Sequence, residues 1–364
     1  MASSQLLRRA IFYVPASSPR MIQKSLSYES DNVTYDLEDS VVDGRKSEAR
    51  QALAQHLGSL RRHQGGQPRE IAVRTNPRAT THGMRDILEM TKLPAVDAIL
   101  LPKVDGPETV RAAAEMIASC DVERRIAWEE ARYQAQRQRQ EPKVLGGGPG
   151  YRPVTLMALI ESARAVENLG DICRAGVVDD DDDGRPGALS GIVFGAEDFA
   201  RDLGAERTPS LGEFVYARSR MVTAARAHGV PSVVDLVCTQ LDRAPPPPPD
   251  TATATATTRT RLEEECENGR SMGFNGKQVI HPSQLATVHR VFGVPAAAAA
   301  WAVRVVAASA VAEREGLGAW VLDGEVVDAP VVRRARALVE RARRVGYDVD
   351  AMLEANEDVR PDAK

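Results

Sequence analysis

Two acids stand side by side in the stretch FGAEDFARDLG (194–204), where Glu197 and Asp198 fall between a short apolar run and a helical pattern. A buried carboxylate without a partner is costly to desolvate, so such a pair calls for open water or for a cation. Glu161 closes an earlier apolar run, VTLMALIE (154–161), in the same way. Glu161 and Asp198, if brought together, suit a hard divalent cation, Mg²⁺ above all, which accepts one or two protein carboxylates and keeps waters that a substrate can displace. The plainer alternative is that one of the paired acids caps the following helix while the other pairs with Arg201 or Arg164. Zinc is disfavoured, because His281 and His289 have no histidine or cysteine partner at ligand spacing. Arg74, between IAV and TNP, offers a planar fork of donors suited to a carboxylate or to the oxygen of a developing enolate; its alternative role is to neutralise Asp36 or Glu38.

These groups work together only if the chain gathers them. Eight short β-rich runs recur between helical patterns: AIFYV (10–14), VTYDLED (33–39), IAVRT (71–75), DAILLP (97–102), VTLMALIE (154–161), GIVFG (191–195), SVVDLV (232–237) and KQVIH (277–281). Most are almost continuously apolar, as parallel strands covered on both faces are. The α/β alternation predicts a (β/α)8 TIM barrel. A doubly wound open sheet would also fit, but no Gly-x-Gly-x-x-Gly follows the first run. Charged residues mark the carboxyl ends of the runs: Asp36, Glu38 and Asp39, then Arg74, Lys103, Glu161, Glu197 and Asp198, Asp235 and His281. In a barrel all these ends open onto one rim, the rim that carries the sites of barrel enzymes.

The barrel is expected to occupy residues 1–295, with flexible insertions near 133–153, 178–188 and 243–260, where glutamine, glycine, aspartate, proline and Thr-Ala repeats offer little apolar surface to offset ordering. Residues 296–364 read as an appendage: a strong helix, a hairpin turning at Asp323-Gly324, and a basic amphipathic helix. A net charge of -4 over 364 residues disfavours nucleic acid as a partner. Cys120, Cys173, Cys238 and Cys266 are too scattered for a disulfide framework and fit a reducing compartment. No run is expected to span a membrane. The first strand begins close behind the N-terminus, which favours the cytoplasm, with mitochondria as the alternative.

RRAIFYVPASSPRMIQKSL, YDLEDSVVDGRKSEAR, AVRTNP, LLPKV, ALIESARAVEN, IVFGAEDFARDLGA and GFNGKQVIHPSQL resemble, in order and spacing, the HpcH/HpaI aldolase and citrate lyase superfamily, and within it the citrate lyase beta-subunit-like, or citramalyl-CoA lyase, branch. The resemblance covers nearly the whole chain outside the three insertions. It implies a barrel assembled as a homotrimer or hexamer that binds Mg²⁺, coenzyme A thioesters and 2-oxo acids, and makes or breaks a carbon-carbon bond. By that match Glu161 and Asp198 are metal ligands, Glu38 and Asp39 hold metal-bound waters, and Arg74 contacts the oxo-acid and thioester oxygens. Arg20, Lys46 and Arg50 lie where basic residues near the coenzyme A phosphates are expected, and LDGEVVDAP resembles a lid whose aspartate, Asp328, reaches a neighbouring subunit's site. Where many relatives have glycine after Val-Pro this chain has Ala16. The rival readings are a metal-dependent aldolase acting on free 2-oxo acids, and a non-catalytic barrel serving as sensor or scaffold.

Overall fold

The computed structural model describes residues 7–60, 68–137, 151–176, 185–241 and 259–362. The chain divides into two compact units, Met1–Val288 and His289–Lys364. In the first, eight strands β1 (Ala10–Pro15), β2 (Asn32–Asp36), β3 (Glu70–Arg74), β4 (Ala98–Leu101), β5 (Thr155–Ile160), β6 (Leu189–Phe194), β7 (Val233–Asp235) and β8 (Gly276–Val279) close into a barrel in sequence order. All pairings are parallel, and β8 returns to β1 with Ala10 opposite Lys277. The helices between them are α1 (Pro19–Ser25), α2 (Lys46–Ser59), α3 (Thr81–Thr91), α4 (Pro107–Arg137), α5 (Ala163–Glu167), α6 (Leu169–Gly176), α7 (Ala196–Leu203), α8 (Val215–Ala227) and α9 (Arg261–Met272), with α10 (Leu285–Phe292) after β8.

Successive strand residues face opposite sides, and here both sides are apolar. Ile11, Ala72, Ala98, Leu100, Met157, Leu159, Val193 and Val234 form one cluster, the filling of the barrel. Their strand neighbours Phe12, Val33, Tyr35, Ile71, Val73, Ile99, Leu101, Ile160 and Ile192 face the helical ring and are buried as well. Each such side chain removed from water contributes about 1.5–3 kcal/mol. At the amino-terminal ends of the strands Arg8 closes the floor: Nε and Nη2 donate to Glu70 at 2.7 and 2.6 Å, and Nη1 to the Ser190 carbonyl at 2.7 Å. Nη2 also reaches Ser190 Oγ at 2.8 Å, and Asn32 Nδ2 donates to Glu70 at 2.7 Å.

The second unit contains α11 (Ala296–Arg314), the hairpin β9 (Ala319–Leu322) and β10 (Glu325–Asp328), α12 (Ala329–Arg344) and α13 (Val349–Glu354). Asp323 and Gly324 both take positive φ, 54° and 80°, as a two-residue hairpin turn requires. The expectation that no run could span a membrane needs correction: Pro282–Arg314 is long and apolar enough by length and composition. The structure interrupts that stretch between Phe292 and Ala296, and the small residues of α11, among them Ala299, Ala302, Ala308 and Ala312, pack in one core with Trp320, Leu322, Val327, Ala335 and Val339. Of the expected insertions, 133–137 form the end of α4 and 151–153, 185–188 and 259–260 are described; the rest lie outside the described residues.

Candidate active site

Strand periodicity decides which rim residues face the mouth. Arg74 stands two residues beyond Ala72, and Glu161 two beyond Leu159, so each continues an inward-facing row past the barrel filling. Asp36 sits opposite Arg74 in the β2–β3 register. Arg74 Nε and Nη2 grip the two oxygens of Asp36 at 2.7 and 2.8 Å, a two-pronged charged pair. The backbone N–H groups of Glu38 and Ser40 also donate to Asp36, at 2.9 and 3.0 Å. Burial pushes the Asp36 carboxyl up, but Arg74 and these donors outweigh it and hold it below the usual range. Arg74 Nη1 is 3.2 Å from Glu38 and 3.3 Å from Asp39. Glu38 Oε2 is buried without a hydrogen-bond partner among the described residues, and burial, with the neighbouring acids, pushes its carboxyl up to about 8 despite Arg74. The Arg74 guanidinium lies 5.1 Å from the centre of the Tyr13 ring. Tyr13 donates to Gln278 Oε1 at 3.1 Å, and Gln278 Nε2 donates to the carbonyls of Phe194 and Asp235 at 2.8 and 3.0 Å.

Across the mouth, Glu161 and Asp198 meet at one cation, the ammonium of Lys103. Nζ lies 3.3 Å from Glu161 Oε1 and in direct contact with Asp198 Oδ2. The Lys103 backbone N–H donates to the same Glu161 oxygen at 2.6 Å, and Arg201 Nη2 holds the other oxygen of Asp198 at 2.8 Å. Asp198 lies in the first turn of α7, where the helix dipole favours an anion. Glu161 is 5 % exposed, and burial pushes its carboxyl up to about 7 against the pull of Lys103. Burial acts the same way on Asp198, but Lys103 and Arg201 leave it below its ordinary value. The approach of β6 to β5 depends on Gly195, where a Cβ would stand 2.6 Å from Glu161 Cβ and 3.0 Å from its Oε2.

Not every rim charge belongs here. Asp235 follows an inward residue, Val234, so it faces outward and forms a fully buried pair with Arg218 of α8 at 3.0 and 2.7 Å. His281 caps the turn after β8, with Nδ1 2.8 Å from Ser283 Oγ. Glu197 turns away from Asp198 to pair with Arg207. Of the expected phosphate contacts, Arg20 is exposed. Lys46 is buried against the Glu38 carbonyl at 3.3 Å and against Asn76 Oδ1. Arg50 is buried and committed to Asp86 and Glu89, both at 3.0 Å, so its guanidinium serves the α2–α3 packing. Asp328 belongs to the second unit, where its exposed carboxylate caps α12 by accepting from the Val331 N–H at 3.1 Å. Sequence reasoning gave no role to Lys103, Gly195, Tyr13 or Gln278. The glycine just ahead of the paired acids was the visible signal for Gly195.

Among the described residues no group of three or more His, Cys, Asp or Glu is gathered as a metal cage. A cation here would therefore rest on Glu161 and Asp198, where an ammonium already sits, and complete its shell with water or substrate oxygens. Oxygen donors alone suit a hard ion such as Mg²⁺. A closed parallel barrel with this mouth is a (β/α)8 barrel of the kind that carries its site at the carboxyl ends of the strands. The chain belongs to the HpcH/HpaI aldolase/citrate lyase family, whose model matches residues 9–282. It is 30% identical over 339 residues to the citrate lyase subunit beta of Escherichia coli strain K12, covering 93% of this chain and 94% of that one. It is 27% identical over 343 residues to the mitochondrial citramalyl-CoA lyase of Mus musculus, covering 93% and 87%. The crystal structure of protein CitE from Mycobacterium tuberculosis, in complex with magnesium, acetoacetate and coenzyme A, superposes with a TM-score of 0.62 at 24% identity, covering 93% of this chain and 99% of that one.

Proposed function

We propose that the protein is a magnesium-dependent carbon-carbon lyase that splits a 3-hydroxyacyl-CoA, such as citramalyl-CoA or malyl-CoA, into acetyl-CoA and a 2-oxo acid. The observation that carries this reading is the convergence of Glu161 and Asp198, from different strand ends, on a single cation. The lyase names of the E. coli and mouse relatives support it. Glu161 and Asp198 would hold Mg²⁺, which when bound supplies Lewis acidity toward the oxygens of the oxo acid. Glu38 and Asp39 would orient the water around it. Arg74 is anchored on Asp36 through Nε and Nη2, and its Nη1, which rests on Glu38 and Asp39, would offset charge on the substrate as the carbon-carbon bond breaks and its electrons pass to the thioester. The hydroxyl proton of the substrate would pass to water as the new carbonyl forms, and Asp328, brought by a second copy of the chain in a homotrimer or hexamer, would deliver a proton to the acetyl carbon. Arg20, whose side chain is exposed, would lie toward the coenzyme A phosphates, whereas Lys46 would reach them only by leaving the Glu38 carbonyl and Asn76.

The test is purified protein with Mg²⁺ and a panel of acyl-CoA thioesters, watched for release of pyruvate, glyoxylate or oxaloacetate. Release is expected from a thioester, with none in chelator and a loss of about a thousandfold or more in Asp198→Ala. Turnover of free hydroxy-oxo acids in preference to thioesters would establish the aldolase instead. Asp328→Asn keeps an equally good helix cap, so it should melt like the wild type while turnover falls about a hundredfold. Full activity in that variant would remove Asp328 from the scheme.

A further inference from the structure

Lys103 follows β4 and is one of three non-glycine residues among those described with a positive φ, at 53°. Such a conformation is strained for a residue with a Cβ and persists when its surroundings hold it. Here the holding groups are the two acids: the backbone N–H binds Glu161 Oε1 at 2.6 Å, and the ammonium lies between that oxygen and Asp198 Oδ2. We propose that Lys103 is a built-in counter-ion of the Glu161–Asp198 pair, filling the cation position until a divalent metal displaces it.

This inference rests on the metal reading above and adds a competitor to it. Asp198 keeps Arg201 on its other oxygen whether or not Lys103 stays. Glu161 is held by the amide and the ammonium of Lys103, and among the described residues no arginine pairs with it as Arg201 does with Asp198. With neither lysine nor metal, two acids would face each other at a site where Glu161 is almost fully buried, and like charges there repel. The lysine side chain is 39% exposed, so its ammonium can leave for water by rotating a four-carbon stem, with the backbone unmoved. An arginine fork would hold both carboxylates more firmly and yield less readily to an ion. Metal binding then breaks two ion pairs before it makes its own, which weakens the apparent affinity and protects the metal-free mouth.

Isothermal titration of the full chain with MgCl₂, alongside melting in chelator, tests this on Lys103→Met and Lys103→Gly. Glycine accepts the left-handed backbone without strain, so the second variant guards against misfolding of the first. Both variants should bind Mg²⁺ about tenfold more tightly than wild type, since a partly exposed ion pair adds up to about fivefold and two are relieved. Lys103→Met should also melt lower than wild type in chelator and gain more from saturating Mg²⁺. Unchanged or weaker affinity in both variants, with wild type binding normally, would overturn the displacement and leave the metal site standing. Failure of wild type and both variants to bind Mg²⁺ would overturn the metal site itself.

Discussion

At the amino-terminal end of the barrel Arg8 grips Glu70, and at the carboxyl end Arg74 grips Asp36, each through two parallel hydrogen bonds in a buried setting. What surrounds the pairs differs. At the floor Ser190 and Asn32 take up the neighbouring donors and acceptors, and the network closes on itself. At the mouth Asp36, Glu38, Asp39, Glu161 and Asp198 face Arg74, Lys103 and Arg201, two more acidic side chains than basic ones, and burial pushes Glu38 and Glu161 up toward their protonated forms. A satisfied buried network fixes a fold, whereas one left short of positive charge is waiting for something from solution.

The contrast can be broken first at the floor. Arg8→Met leaves Glu70 buried and uncompensated, and urea unfolding should register a loss of about 3–5 kcal/mol with no selective effect on Mg²⁺ affinity. A loss under about 1 kcal/mol would mean that the floor is no more structural than the mouth. The next effect has the opposite sign. Glu38 keeps its proton in the folded protein up to about pH 8, whereas the unfolded chain releases it near its ordinary value, so this residue costs stability increasingly as pH rises between those limits. Glu38→Gln should therefore be more stable than wild type in chelator at pH 8, by on the order of 2 kcal/mol, and no more stable at pH 4. A variant less stable at both pH values would refute the surplus. The smallest effect sharpens the comparison: Gly195→Ala intrudes on Glu161, and Mg²⁺ affinity measured by calorimetry should weaken about tenfold while the fold survives.

Much of this architecture was legible. Each of the eight apolar runs overlaps a barrel strand, because parallel strands buried on both faces carry an apolar signal too dense to miss. Arg74 and Glu161 were readable as rim residues because each closes an apolar run. Asp235 misled because run ends were read without their parity: one residue's difference turned it from the mouth to Arg218. Arg50 looked like a phosphate contact because its partners, Asp86 and Glu89, sit on α3, more than thirty positions away. Lys103 was visible as a rim charge, but its grip on both acids depends on a left-handed backbone that no sequence pattern announces. The apolar run Pro282–Arg314 shows the limit of composition: alanines that satisfy a membrane criterion here serve close helix packing.

Strands β6 and β7 pair through only two residues, Ile192 with Val233 and Val193 with Val234, and β7 and β8 through two more, so the ring is thinnest on either side of β7. Just past the β6–β7 seam one amide, that of Gln278, takes hold of the last carbonyl of each strand and, through its oxygen, of the hydroxyl on β1. It acts as a hoop at the top of a stave vessel. On this side of the opening the closure continues through side-chain bonds where the backbone ladder has run out, made by a residue that contacts none of the charged groups of the mouth.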